Sequence, residues 1–172
     1  MGAGARRRRR HACLELATIA QRVEGIEKEI VKLSTKYQDI IIDAGGRDTP
    51  ELRTSMLKSN LLIVPSRPSS VDVHALHHVN TLVRMARGFN TDLAAKLVIN
   101  CAPTHATSTD AEEMVKVVSN LNALELATSV VRDRVALRRA FGEGKSAAEY
   151  GVDQKASAEM RELYEEIFGG VQ

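Results

Sequence analysis

The stretch that most constrains the fold is 37–52, YQDIIIDAGGRDTPEL. Ile40, Ile41 and Ile42 run straight into Asp43. Consecutive β-branched residues are restricted at χ1 in a helix and suit a pleated sheet, and an unbroken apolar run is the pattern of a strand covered on both faces. Asp43 would then stand at the carboxyl end of that strand. An ionised carboxylate there needs a cationic partner, and ligands bind at such ends in open α/β sheets. Ala44, Gly45 and Gly46 allow a sharp turn and a close backbone approach. Thr49 followed by Pro50 reads as an N-cap with a first-turn proline. The expected unit is strand, acidic tip, glycine turn, helix.

The same alternation continues along the chain. Asn60–Pro65 (NLLIVP), Lys96–Asn100 (KLVIN) and Leu124–Arg132 (LELATSVVR) read as three further strands. Ser69 or Ser70 caps a helix to about Gly88, with Asp72 three residues after Ser69, and a capping box at Thr109–Glu112 opens another to about Leu121. A short helix spans Val135–Phe141 and ends at Gly142 and Gly144. Asp153 caps a last helix with Ala156, Met160, Leu163 and Ile167 on one face, stopped by Gly169-Gly170. Strands alternating with helices imply parallel βαβ units, so the fold class is α/β, a mostly parallel sheet flanked by helices. Ahead of these units, Leu16, Ile19, Val23, Ile26, Ile30 and Leu33 recur at spacings of three and four. They predict a long helix over 14–36 whose apolar stripe packs on the sheet; the alternative is a coiled coil with a partner helix, for which fewer than four full heptads are present. Gly25 is its weak point, costing roughly 1 kcal/mol against alanine.

At 172 residues the chain suits one domain with a sizeable core. Aromatic residues make up 3% of it, which argues against a binder that stacks single-stranded bases. The net charge of +2 leaves any nucleic-acid contact to local clusters. Cys13 and Cys101 form no CxxC pair and point to a reducing cytoplasm. No apolar run reaches membrane-spanning length, and Glu15 interrupts what would be the apolar segment of a signal peptide. Arg6–Arg10 are a like-charged run, expected to be a solvated basic tail over 1–12 with the α/β domain over 13–172; such a run can also act as an arm on nucleic acid.

Four segments, IIIDAGGRDTPELR, LLIVPSRPSSVD, KLVIN and VVRDRVALRRAFGEGKSAAEYGVDQKASAEMRELYEEI, together resemble, in order and spacing, the carboxyl-terminal two thirds of ParA-type partition ATPases of the ParA/MinD deviant P-loop group. The resemblance covers about Ala17–Phe168. It implies ATP-linked segregation of plasmids or chromosomes, with ATP and Mg²⁺ as cofactors, dimerisation, nonspecific DNA binding and a centromere-binding partner protein in the cytoplasm, at the nucleoid. Asp43 matches the family's Walker B acid, which holds Mg²⁺ through water. Asn100 matches the residue at the adenine ring. Arg132 and Arg134 match the stretch carrying DNA-contacting basic residues, and Arg138, Arg139 and Lys145 lie nearby.

One departure is large. No KGGxGKT-like phosphate loop follows a strand in this chain; GAGA at 2–5 has neither the strand nor the Lys-Thr. A P-loop cradles phosphates with backbone N–H groups and a lysine, and a hydroxyl reaches Mg²⁺. The expectation is therefore an amino-terminally truncated, incomplete P-loop NTPase-like fold that lacks the P-loop strand, an unpaired sheet edge or a direct pairing across the gap, low stability, and impaired ATP hydrolysis. The alternative is a non-catalytic module that binds DNA or a full-length homologue. His74, His77 and His78 share a helix, with His74 and His78 on one face, but lack the further ligands that zinc needs. Ser66, Ser69 and Ser70 have no base partner and suit capping. Gly142 and Gly144 bracket a turn, since GEGKS lacks the strand-to-helix context of a phosphate loop.

Overall fold

The computed structural model of the protein describes residues 25–105, 116 and 118–169. In chain order the elements are α1 (Ile26–Ser34), α2 (Pro50–Lys58), β1 (Leu61–Ser66), α3 (Ser70–Arg87), β2 (Ala94–Ala102), β3 (Glu125–Arg132), α4 (Val135–Gly142), α5 (Ala147–Tyr150) and α6 (Gln154–Phe168). The strands form one parallel sheet in the order β1-β2-β3. The fold is α/β, a three-stranded parallel sheet flanked by helices, consistent with part of a P-loop-like fold.

Alternation along the strands divides the core between two faces. On one face Leu62 and Val64, Ala95, Leu97 and Ile99, and Leu126 and Val130 meet Met56 of α2 and Leu76, Leu82, Val83 and Ala86 of α3. On the other, Val98, Ala127 and Val131 meet Leu137 of α4 and Leu163 of α6. The caps form as the sequence suggests. Thr49 accepts from the Leu52 N–H, Ser69 from that of Asp72, and Asp153 from those of Lys155 and Ala156. Gly25 stands at φ 90° as the N-cap of α1, so a regular helix begins only at Ile26. The earlier part of the helix expected over 14–36 lies outside the described residues, as do Arg6–Arg10 and the capping box at Thr109–Glu112.

The strand expected at Ile40–Ile42 does not form. Residues 37–49 carry neither helix nor strand, Ile41 is 86% exposed and Asp43 is exposed. The sheet edge at β1 stays open, but this segment does not pair with it, and β-branched residues outside a sheet gain no ladder hydrogen bonds. β1 pairs with β2 alone, and its other edge is open among the described residues. The Asn60 carbonyl accepts from the Ala94 N–H at 2.9 Å, so by the two-residue alternation Leu62 and Val64 also aim at β2 while Leu61, Ile63 and Pro65 aim outward. Pro65, which has no N–H, thus sits on the side where none is needed, the position proline takes in an edge strand.

Candidate functional site

The carboxyl ends of β2 and β3 and the start of α4 enclose a cleft of about 300 Å³ lined by Asn100, Cys101, Arg132, Asp133, Arg134, Leu137, Arg138 and Phe141. Asn100 is near the end of β2, and its Oδ1 accepts from the Cys101 N–H at 3.0 Å. Cys101 adopts φ 53°, alone in the left-handed region among the described non-glycine residues. It lies within β2, where the register against β3 shifts between Ile99 and Ala102.

Arg132 ends β3 and Arg134 is the N-cap of α4. Both are held by one carboxylate from α6. Glu159 accepts from the Arg132 backbone N–H at 3.1 Å and from Arg132 Nη1 at 2.9 Å. It also accepts from Arg134 Nε at 3.1 Å and from Nη2 at 2.7 Å. Arg134 Nη1 lies 3.7 Å from Asp153 as well. Glu159 is only 7% exposed. Burial pushes its carboxyl up, but the hydrogen bonds from Arg134 and Arg132 outweigh that and hold it below the ordinary glutamate value. The same bonds raise the Arg134 guanidinium. Arg138 pairs with Asp133 at the exposed rim, and Lys145 pairs with Glu143 at 2.7 Å. Arg139 is exposed and has no ion pair among the described residues.

Four of the sequence-predicted residues, Asn100, Arg132, Arg134 and Arg138, therefore meet at one cleft, with Arg139 beside Arg138 on α4. Asp43 does not line it. The fit of a magnesium nucleotide is correspondingly partial. Asn100 lines the cleft, but Asp43 is exposed and outside any strand, and no group of three or more His, Cys, Asp or Glu among the described residues could hold a metal ion. The described residues do not fit Mg²⁺ and a triphosphate. Of the α3 histidines, His78 places Nε2 3.3 Å from Asp48, which also forms a two-pronged pair with Arg53 at 2.7 Å.

Sequence reasoning missed Glu159 and Glu166. The expected packing face of the last helix was Ala156, Met160, Leu163 and Ile167, yet Met160 is exposed while Glu159 is buried. The face that meets β3 is Glu159, Leu163 and Glu166, at i, i+4 and i+7. The available signal was the two acids, seven residues apart on the apolar side of the helix, opposite a strand ending in Arg132-Asp133-Arg134.

In open α/β sheets ligands bind outside the carboxyl ends of the strands, which is where this cleft lies. No family model matches the chain. It is 29% identical over 113 residues to the "Maintenance of carboxysome distribution protein A" of Halothiobacillus neapolitanus, a match covering 65% of this chain and 51% of that protein. The chain thus spans about half the length of the curated relative it matches. The match supports a ParA-like relationship. Among the described residues no helix is long and apolar enough to cross a membrane.

Proposed function

We propose that this chain is a ParA-type positioning protein that contributes a DNA-contacting surface and has impaired ATP hydrolysis. The observation that carries the reading is the gathering of Asn100 with Arg132, Arg134 and Arg138 at one cleft on the carboxyl end of a parallel sheet. Guanidinium groups on an exposed rim contact phosphates without reading sequence. That suits a protein that moves a cargo along DNA in the cytoplasm, at the nucleoid. The cargo is a plasmid or chromosome recognised through a centromere-binding partner, or another body; the relative's name refers to carboxysome distribution. The chain's partner is a second copy of itself or a full-length homologue, and of the two only the homologue would supply the phosphate grip that this sequence lacks.

The chemistry of the site favours the non-catalytic form of the reading. Asp43, the sole acid in the IIID segment, stands away from the cleft, and Asn100 alone cannot hold a triphosphate. The test is titration of a fluorescent ATP analogue with Mg²⁺, beside a DNA retardation assay at several salt concentrations. Salt-dependent retardation without micromolar nucleotide binding is the expected result. Micromolar binding abolished by Asp43→Ala would refute the impairment, and no retardation even at low salt would refute the DNA-contacting reading.

A further inference from the structure

The four arginines around the cleft are not equivalent, and their partners divide them. Arg134 is the most committed. Two of its nitrogens bond to Glu159 at 3.1 and 2.7 Å, a third lies 3.7 Å from Asp153, and its side chain is 15% exposed. Arg132 shares the same buried carboxylate and also bonds to it through its backbone N–H. A guanidinium leaving Glu159 would give up charge-assisted hydrogen bonds to a buried carboxylate, an unfavourable change. Arg138 differs in kind. Its one acidic partner, Asp133, is a surface residue, and both side chains are at least half exposed. Exposed pairs of this type contribute little and give way to a competing anion. Arg139, next along α4, has no ionic partner among the described residues. Leu137 packs against the sheet and so fixes which way the start of α4 presents these two side chains.

Resting on the DNA-contacting reading above, we infer that phosphate contact falls to Arg138 and Arg139, that Glu159 is a positioning residue holding Arg132 and Arg134 as the floor beneath them, and that Asp133 restrains DNA affinity by competing for Arg138. The ligand class is the phosphate backbone of duplex DNA, met without base reading. An incoming phosphate takes Asp133's place on Arg138, and the freed carboxylate stays solvated at the rim. Arg139 needs no such exchange.

The experiment measures anisotropy of a labelled random-sequence duplex over a salt series, with thermal melting of each variant. In the R138A/R139A double variant the slope of log affinity against log salt falls by about two, for two lost phosphate contacts, and the melting temperature holds. In D133N affinity rises roughly two- to fivefold, the gain from removing an exposed competing pair. E159Q lowers the melting temperature, and the salt slope of the protein still folded stays that of the wild type. Wild-type binding whose slope is untouched by R138A/R139A overturns the assignment. So does weaker binding by D133N, or a slope lost in E159Q at a temperature where that variant is folded. A wild-type chain that does not bind DNA at low salt refutes the underlying reading instead, and is told apart by needing no variant.

Discussion

Glu166→Gln should destabilise the protein in a manner that fades with acid. Glu166 lies on the buried side of α6, with its side chain 16% exposed. Its carboxylate accepts from the Thr128 N–H at 2.9 Å, the Thr128 hydroxyl at 3.0 Å and the Ser129 N–H at 2.8 Å. Two consecutive amides of β3 thus point at one carboxylate rather than at β2, where the register between the two strands shifts. Burial pushes the carboxyl up, but the donors on Ser129 and Thr128 outweigh it and hold it at about 2, against 4.5 for an ordinary glutamate. At roughly 1.4 kcal/mol per pH unit, that gap corresponds to about 3 kcal/mol. The folded pKa is depressed, so the stabilisation is fully present above pH 4.5 and is lost as pH falls towards 2. Glutamine keeps one acceptor and turns an N–H₂ towards a backbone donor, leaving about one amide unpaired. The variant should therefore lose about 2–3 kcal/mol at pH 7, a fall of roughly 5–10 °C in melting temperature for a chain of this size. Urea unfolding followed by circular dichroism between pH 7 and pH 2 measures it. Equal midpoints at pH 7, or a difference that stays constant between pH 5 and pH 2, would refute the account of Glu166 as an ionised clamp on the β3 bulge.

Two further substitutions probe the core. Leu97→Ala removes a fully buried side chain from the middle strand of the sheet and should cost about 2–5 kcal/mol, read as a lower urea midpoint with cleft residues unchanged. Asn80→Ala removes the buried Oδ1 that accepts from the Ala123 N–H at 2.9 Å, tying α3 to the turn before β3. It should cost about 1–3 kcal/mol, and amide exchange should quicken first at Ala123.

The sequence conveyed different parts of this molecule for different physical reasons. Strands β1, β2 and β3 were legible because short apolar runs bounded by turn residues need little beyond a neighbour to pair with. The helix starts at Pro50, Ser70 and Gln154 were legible because their caps are local: a side-chain oxygen and an N–H two or three residues on. Ile40–Ile42 carried the strongest strand signal and forms no strand, since propensity sets a preference but pairing supplies the hydrogen bonds, and pairing is not a local property. Pro65 gave a quieter warning that β1 was an edge. The cleft was legible in its basic residues and not in their pairing. Asp133 was visible as a neighbour of Arg138, but Glu159 reaches Arg132 and Arg134 from 27 and 25 residues away.

The two acids of α6 have a joint consequence. Glu159 and Glu166 stand seven residues apart on the same face, one neutralising the floor of the cleft and the other binding the backbone of β3. Most helices dock by apolar contact alone; this one places two ionised groups in the interface, each matched by donors that the strand itself provides. The docking of α6 and the charge at the cleft are therefore one arrangement. A change that loosens Glu166 from Thr128 and Ser129 also loosens the helix that presents Glu159, and with it the restraint on Arg132 and Arg134. The cleft's net positive charge is set as much by how tightly the last helix packs as by the arginines that line it.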